Sequence, residues 1–389
     1  MKQIKLATSV AFGAALLATG AAQAGGVTDK EVLIGHIGTL SGPVALWGTP
    51  TAEAIRMRFE EANNAGGVHG RMIKVIVEDN QYQVPRAIQA ANKLMNKDKV
   101  FAMIANLGTP MNNAVLPKQL KNNIPNLFPF SGGRQMSEPF HKLKFQALST
   151  YYDQIRGGIK YLVEEKGVKV VCDIYQDTDY GREIHLAAED QLKAMGLKLG
   201  TSTAHKPTAT DFAAAVAKLK KGKCEAIMMG TIIRDTILPV ATAKKIGWNP
   251  IWLGPVAMMD TLVAAAKGGV TEGLYAMTSF EYAYPDDPRP KVQKFIQDFT
   301  KRTGKAPNQA AQLGYISADL TVIGLQNAGR DLTVDSLVKG LEMIKDHKDI
   351  FDGAAVSFGP KKRIGSRAAF LVQVENGRWV RRSGNISYE

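Results

Sequence analysis

The amino-acid sequence predicts an α/β protein in which a multi-strand hinge joins two doubly wound parallel-sheet lobes. Three observations lead to this prediction: chain length, composition, and a repeated alternation of β-rich segments with helical patterns. A chain of 389 residues is long for one core and natural for two. Its 45% hydrophobic and 22% charged residues are typical of a folded globular protein. The alternation itself predicts parallel sheets covered by helices.

Four β-rich segments and three helical patterns predict the first lobe. Residues 32–37 form the first expected strand, and residues 50–65 form the amphipathic helix that follows it. Pro85 stands near the start of the second expected helix, a position that proline favours. The remaining elements are strands at 73–78, 100–104 and 125–130 and helices at 85–96 and 110–122.

The same alternation recurs in the second lobe. Its expected strands lie at 168–175, 197–203, 224–230 and 250–254, and its helices at 154–166, 180–195, 211–221 and 234–246. Further strand-like and helical segments follow at 274–281, 290–303, 310–328 and 334–344. A closing hairpin (370–374 with 379–380) is expected around Asn376-Gly377, a dipeptide favoured in two-residue hairpin loops. We therefore expect lobe 1 over 25–150, lobe 2 over 151–275, and crossover elements over 276–389 that complete both lobes.

The N-terminus carries the features of a secretory signal peptide. Lys2 and Lys5 precede a short apolar run, and Ala22-Gln23-Ala24 closes it with an A-x-A site. Residues 1–24 are therefore predicted to be removed, which leaves an exported chain that begins near Gly25. A retained N-terminal anchor is the alternative.

Charge and cysteine content narrow the partners and the compartment chemistry. The formal net charge is +13, but the basic residues are scattered and do not alternate with aromatics, so no nucleic-acid partner is expected. Cys172 and Cys224 are the two cysteines, and export permits a disulfide between them. Both stand in apolar, strand-like segments, which favours two buried free thiols slightly over a disulfide.

Motifs of the common α/β enzymes are missing from the sequence. Gly35-His36-Ile37-Gly38 does not match the dinucleotide fingerprint G-x-G-x-x-G, and the chain has neither a P-loop nor a G-x-S-x-G elbow. The six histidines form no metal-binding pattern. We therefore expect a protein that is not an enzyme and has no catalytic residues, no cofactor and no metal.

Short motifs follow one another in a fixed order over about residues 31–380. They are Ser41-Gly42-Pro43 with Gly48, the segment Glu60 to Arg71, Glu78-Asp79-Asn80, Asp177 to Gly181, Asp211-Phe212, Gly314-Tyr315, and Phe351-Asp352-Gly353 with Phe358. Together they resemble periplasmic solute-binding proteins related to the Leu/Ile/Val-binding protein. The resemblance implies a two-lobed type I binding protein of the periplasm, expected to be monomeric, that closes on a small solute and presents it to an inner-membrane ABC permease.

The first lobe is expected to hold a ligand carboxylate, because its candidate residues follow the ends of parallel strands. Backbone N–H groups and hydroxyls at these positions match the family's carboxylate-holding loops. The candidates are Trp47, Leu107, Gly108, Thr109, Phe130, Ser131 and Gly132. The alternatives are ordinary packing for Trp47 and Phe130 and helix capping for Thr109.

The second lobe is expected to cover the ligand. Its candidates are Tyr151, Tyr152, Tyr180, Ile232, Arg234 and Val256. Amino-acid-binding relatives usually carry an acidic residue after Gly254-Pro255, where this chain has Val256, and Tyr151 stands at another position that is often acidic. Since an ammonium group buried without a carboxylate is heavily penalised, we expect a carboxylate ligand without an α-amino group, such as an aromatic or phenylpropanoid acid.

Three alternatives stay open at this point. One of four acidic residues can still supply the missing charge: Asp153, Asp177, Asp179 or Asp235. In that case the protein binds a branched-chain or other hydrophobic amino acid. A ligand sensor for a membrane receptor, built from the same lobes, is the alternative of another class.

Overall fold

The computed structural model describes residues 25–42 and 44–388. The predicted signal peptide lies outside the described residues. Within the described part of the chain, no helix combines the length and apolar character that a membrane span requires. The described residues form two α/β lobes, each built on its own sheet, and the prediction of the fold class is confirmed.

Lobe 1 is built on a sheet that has five strands within the described residues, in the order β2-β1-β3-β4-β5. All neighbouring pairs are parallel. The strands are β1 (Glu31–Gly38), β2 (Met72–Asp79), β3 (Ala102–Ile104), β4 (Asn126–Leu127) and β5 (Lys144–Phe145). The helices between them are α1 (Ala45–Asn64), α2 (Val84–Asn92) and α3 (Thr109–Lys121).

Lobe 2 is built on a sheet of seven strands, again counted over the described residues. Its strands are β6 (Val171–Gln176), β7 (Ser202–His205), β8 (Ala226–Gly230), β9 (Ile251–Pro255), β10 (Tyr275–Thr278), β11 (Ala369–Glu375) and β12 (Arg378–Ile386). Its helices are α4 (Tyr151–Lys166), α5 (Asp179–Ala194), α6 (Ala213–Lys221), α7 (Arg234–Lys245) and the single turn α8 (Thr261–Ala264). The parallel part, β7-β6-β8-β9-β10, repeats the strand order of lobe 1, and the hairpin β11-β12 extends it antiparallel.

Three later helices, α9 (Pro290–Thr303), α10 (Gln309–Ala328) and α11 (Val334–Glu342), follow β10 in the chain. The second of them, α10, packs along α1 of lobe 1. The two helices approach closely, since a Cβ atom at Gly314 would come within 2.5 Å of the Thr51 carbonyl oxygen. The Thr51 hydroxyl also donates to the Ala310 carbonyl at 3.1 Å. The chain therefore returns to lobe 1 before it ends in lobe 2.

The segments that pass between the lobes lie side by side. The Gln146 N–H donates to the Arg363 carbonyl at 2.8 Å, and the Gly365 N–H donates back to Gln146 at 2.7 Å. The Ser149 and Ser279 hydroxyls lie 2.7 Å apart. These bonds join stretches from three distant parts of the sequence into the predicted multi-strand hinge.

The first helix begins five residues before its predicted start at Pro50. Because proline has no N–H, it leaves the carbonyl of Leu46, four residues earlier, without its helical partner. The Asn308 side chain donates to that carbonyl at 2.9 Å. A distant residue thus replaces the hydrogen bond that proline removes, and Trp47 lies in the first turn of α1 rather than at a loop tip.

Other predicted elements differ in position or length. The strand expected at 197–203 is found at Ser202–His205, while Leu197 and Leu199 pack against the core before it begins. The strand expected at 125–130 is only Asn126–Leu127, and the short strand Lys144–Phe145 was not predicted.

Cys172 and Cys224 form a disulfide, so the expectation of free thiols is wrong. Cys172 lies in β6, and Cys224 directly precedes the neighbouring parallel strand β8. Their Cα atoms are 5.8 Å apart, within the range that a disulfide spans. The pattern of apolar strands was interpreted correctly, but it did not reveal that these two strands are neighbours.

Candidate functional site

A cavity lies between the lobes, at the carboxyl ends of the parallel strands of both sheets. We call it the cleft; it contains about 340 Å³ of space not filled by atoms, part of it open to solvent. This is where open α/β sheets bind ligands. Its lining residues are Trp47, Tyr82, Leu107, Gly108, Thr109, Phe130, Tyr151, Tyr180, Ile232 and Ala257.

The lobe 1 wall of the cleft carries the buried Thr109 hydroxyl, which pairs with the Ser131 hydroxyl of the adjoining cavity. Thr109 begins α3 and Ser131 follows β4, and their Oγ atoms lie 2.8 Å apart. Ser131 Oγ also accepts from the Gly133 N–H at 3.2 Å. The alternative that Thr109 caps the helix is wrong: Gly108 is the N-cap residue, and no side chain caps this end.

The uncapped end of α3 faces the same wall. Gly108 has φ +98°, a backbone conformation that favours glycine, and the Met111 methyl group packs against it. A helix N-terminus with unpaired N–H groups favours negative charge. Together with the two hydroxyls, this end of the cleft is suited to a carboxylate.

Aromatic rings enclose the opposite side. The rings of Tyr151 and Tyr180, at the starts of α4 and α5, have centroids 5.0 Å apart in an edge-to-face arrangement. The Tyr180 hydroxyl donates to the Thr231 carbonyl at 2.7 Å, which fixes its ring. From lobe 1, Trp47 and Phe130 add a second pair with centroids 5.9 Å apart.

Tyr82 lines the cleft but was missed by the sequence analysis. Tyr82 and Gln81 both have positive φ values, 57° and 48°, and the Asn80 side chain accepts from the Tyr82 N–H at 2.7 Å. This turn follows the end of β2. The rule that selected the loops after the third and fourth strands, applied to Glu78-Asp79-Asn80, would have found it.

Burial keeps the cleft tyrosines protonated. It raises the pKa of Tyr151 to about 12 and also raises the pKa of Tyr82 and Tyr180 well above the ordinary value. The Tyr151 hydroxyl lies against the Gly132 backbone N–H, which can only donate to it, so its own proton is available to a ligand. The cleft therefore offers neutral donors rather than cations.

Three predicted residues line only a second cavity beside the hinge, and two line neither cavity. Ser131, Gly132 and Val256 contribute to the second cavity. Tyr152 lies on the other side of α4, where its hydroxyl donates to Asp190 at 2.6 Å. Arg234 is exposed and donates to the Pro207 carbonyl at 3.0 Å. Both belong to strand-end or helix-start segments that reach the cleft, but their own side chains point elsewhere.

Hydrogen bonds cross from one lobe to the other around the cleft. Trp47 Nε1 donates to Asp260 Oδ2 at 3.1 Å, and burial raises the pKa of that carboxyl. At the rim, the Arg134 guanidinium pairs with Glu183 at 2.9 Å. The bonds show a closed arrangement of the lobes.

Among the residues that the structure describes, none that lines the cleft is charged. The four acidic candidates for an ammonium partner have partners elsewhere. Asp153 pairs with Arg367, Asp177 with Arg182, Asp179 with Asn113, and Asp235 with Gln176 and His205. Asp235 also accepts from the Ile232 N–H at 3.0 Å, so both of its oxygens are occupied.

Metal ligands do not gather at this site. Across residues 25–42 and 44–388, no group of three or more His, Cys, Asp or Glu side chains is placed to hold a metal ion.

Two α/β lobes closed around a neutral, aromatic-lined cleft define a binding protein for a small solute.

Comparison with known proteins agrees with that class. The sequence profile of a family described as periplasmic binding protein matches residues 31–378, most of the chain. The chain belongs to this family of periplasmic binding proteins.

Individual relatives are distant but cover most of the chain. The leucine-, isoleucine-, valine-, threonine- and alanine-binding protein of Pseudomonas aeruginosa is 24% identical over 77% of this chain and 79% of its own. The fatty acid ABC transporter substrate-binding protein from Thermomonospora curvata matches with a TM-score of 0.84 and 24% identity over 94% of both chains. A branched-chain amino acid ABC transporter structure from Thermus thermophilus with bound valine matches with a TM-score of 0.83 and 17% identity, over 92% of this chain and 97% of its own. The structural matches support the fold.

Proposed function

We propose that this protein is the extracytoplasmic solute-binding component of an ABC importer. It binds a small carboxylate without an α-amino group, preferably an aromatic or phenylpropanoid acid, and closes its lobes around it. The predicted signal peptide and the periplasmic binding protein family support a periplasmic location. We further propose that the protein is a monomer in solution and delivers its ligand to an inner-membrane permease.

The observation that carries the proposal is the absence of a carboxylate among the residues that line the cleft. An α-ammonium group enclosed there would lose its hydration without gaining an anionic partner, at a cost of several kcal/mol by order of magnitude. A des-amino acid avoids this cost entirely. Its carboxylate still finds the Thr109 and Ser131 hydroxyls and the uncapped end of α3.

The rest of the lining favours a flat apolar body. Trp47, Phe130, Tyr151 and Tyr180 supply aromatic surface on both sides of the cleft. Aromatic pairs gain from edge-to-face and offset contacts beyond the area they bury. An aryl acid uses this surface more fully than a short aliphatic acid of the same charge.

The relatives' names support import but point to two ligand classes. The Thermomonospora curvata protein is named for fatty acids, which are carboxylates without an amino group. The Pseudomonas aeruginosa protein is named for aliphatic amino acids, which makes amino-acid binding the second candidate function. The amino-acid candidate requires an ammonium partner in the cleft, whereas the acid candidate does not.

Matched ligand pairs test the proposal directly. We expect titration calorimetry to show that 3-phenylpropanoate binds more tightly than phenylalanine, and 4-methylpentanoate more tightly than leucine. Each pair differs only in the α-amino group, so shape is held constant. Tight leucine binding with no response to either des-amino acid would overturn the proposal in favour of the amino-acid candidate.

A further inference from the structure

A second cavity lies next to the cleft, against the segments that join the lobes. We call it the hinge chamber; it contains about 460 Å³ of space not filled by atoms, part of it open to solvent. Phe130, Tyr151 and Ala257 line both the cleft and the hinge chamber. These three side chains form the partition between two adjoining spaces, and a ligand longer than the cleft can extend past them into the hinge chamber.

The walls of the hinge chamber are mainly apolar. Phe128, Leu148 and Ile316 are buried there, and no lining residue carries a charge. An apolar wall of this kind stabilises the hydrocarbon part of a ligand and disfavours a second charged group. The chamber therefore suits the uncharged end of an acid whose carboxylate stays in the cleft.

One polar atom in the chamber has no partner. Gln146 is 4% exposed, and its amide nitrogen donates to the Ser131 carbonyl at 3.0 Å and to the Leu148 carbonyl at 3.4 Å. Since both of these partners are acceptors, the nitrogen must face them, which leaves the amide oxygen on the other side. That oxygen is buried and makes no hydrogen bond to any described residue.

We propose that the ligand's apolar body passes the partition into the hinge chamber and that a hydroxyl at its far end donates to Gln146 Oε1. The proposal rests on the proposed function and narrows it to acids with a distal neutral donor, such as a phenol. A buried acceptor without a partner costs free energy, and a hydroxyl is the smallest uncharged group that satisfies it. An ammonium group is excluded because no carboxylate lines the chamber.

Ligand pairs in the unmodified protein test the hydrogen bond. We expect 3-(4-hydroxyphenyl)propanoate to bind about tenfold more tightly than 3-phenylpropanoate, the gain of one buried hydrogen bond to an otherwise unpaired acceptor. In the Gln146→Met variant, which keeps the side-chain length, this ratio should fall to about one by the same argument. Because a ratio of affinities is measured, a general effect of the substitution on the hinge cancels.

A second variant tests the chamber itself. Ala147 lines the hinge chamber but not the cleft, so Ala147→Leu fills the chamber and leaves Thr109 and the N-terminus of α3 in the cleft as they are. We expect it to weaken 3-(4-hydroxyphenyl)propanoate about tenfold or more, since overpacking a buried space costs at least ~1 kcal/mol, while benzoate is little affected. The matched control is Ala217→Leu, at an exposed position of α6.

The outcomes separate this inference from the proposed function. Failure of every acid to bind overturns both. Acids that bind equally with and without the distal hydroxyl, in the unmodified protein, overturn the inference alone and indicate that water satisfies Gln146. If Ala147→Leu and Ala217→Leu behave alike toward the longer acid, the ligand does not enter the chamber.

Discussion

Lobe 1 and lobe 2 share one parallel strand order but are held together in different ways. Lobe 1 obtains part of its helical cover from α10, which arrives from far along the chain and packs along α1. Lobe 2 is extended by the antiparallel hairpin β11-β12 and contains the Cys172–Cys224 disulfide between adjacent strands. The comparison shows that the same sheet is completed by a helix from far along the chain in one lobe, and by a disulfide and a C-terminal hairpin in the other.

The two lobes also contribute different chemistry to the cleft. Lobe 1 provides the hydroxyl pair of Thr109 and Ser131 and the uncapped N-terminus of α3. Lobe 2 provides Tyr151 and Tyr180, whose rings pack edge to face, and no charged group. We infer that lobe 1 fixes the polar end of the ligand and lobe 2 covers its body.

Removal of the disulfide should produce the largest change, and it should be confined to lobe 2. The crosslinked residues are 52 positions apart, and closing a loop of that length contributes about 4 kcal/mol to the free energy of unfolding in the chain-entropy description. We expect the Cys172→Ala, Cys224→Ala double variant to exchange amide hydrogens faster in β6 and β8 while β1 to β3 keep their protection. Hydrogen exchange with mass spectrometry measures this by segment.

Equal loss of protection in both lobes would contradict this difference, since it would mean that the lobes unfold as one unit. Ligand affinity serves as the control, because neither cysteine lines the cleft.

Acid should destabilise the protein through a histidine of lobe 1. His36 is fully buried in β1, and burial lowers its pKa to about 4. The unfolded chain takes up a proton near pH 6.5 and the folded one only near pH 4. The free energy of unfolding should therefore fall by about 3 kcal/mol as the pH is lowered across that window. Denaturant unfolding at several pH values measures how the free energy of unfolding changes with pH. The His36→Gln variant should lack the part of this change that comes from His36.

His185 of lobe 2 should make stability depend on pH in the opposite direction. Its hydrogen bond with Asp173, 2.6 Å long, raises its pKa above the ordinary value. The His185–Asp173 pair therefore stabilises the folded protein fully at a pH below the pKa of His185 in the unfolded chain. This stabilisation is lost as the pH rises through the raised pKa of the folded protein. A His185→Gln variant with the same loss of stability at every pH would show that this pair does not titrate as described.

Features of both lobes show which parts of the fold could be predicted from the sequence: those set by local signals, and not those set by contacts between distant segments. The alternation of strands and helices and the Asn376-Gly377 turn are local signals, and they gave the fold class and the closing hairpin. The start of α1 depends on Asn308, which replaces the hydrogen bond lost at Pro50, and the disulfide depends on β6 and β8 being neighbours. Both are tertiary facts that no local pattern contains.

The same limit applies to the site. The rule that ligands lie beyond the ends of parallel strands selected loops that the structure brings together, including those of Thr109 and Tyr180. It could not tell which way each side chain in a loop points, as Tyr152 and Arg234 show. Tyr82 was missed because the strand end Glu78-Asp79-Asn80 was used only as a family motif, and the residues after it were not considered as ligand contacts.

Substitution of Thr109 should weaken ligand binding. Unlike removal of the disulfide, it should leave the free energy of unfolding nearly unchanged. Thr109→Val keeps the shape and removes a hydroxyl that we propose donates to the carboxylate. A hydrogen bond to a charged group contributes about 2 kcal/mol, so the dissociation constant for 3-phenylpropanoate should rise about thirtyfold. Calorimetry measures it, with Thr242→Val on α7 as the matched control, since that hydroxyl only bonds the Leu238 carbonyl within its own helix. An unchanged affinity would show that the ligand carboxylate does not bind at this wall of the cleft.

The smallest effect should come from a single contact between the lobes at the rim. Asn113 on α3 donates to Asp179 on α5 at 2.8 Å, and Asp179 is exposed, so the bond adds only ~0.6 kcal/mol to the closed arrangement. Asn113→Ala should therefore weaken binding about threefold, and the dissociation rate should change more than the association rate. Asn122→Ala is the control on the same helix, because Asn122 bonds only to the Lys118 carbonyl of its own lobe. If both variants weaken binding equally, the effect belongs to α3 itself, and closure does not depend on this contact.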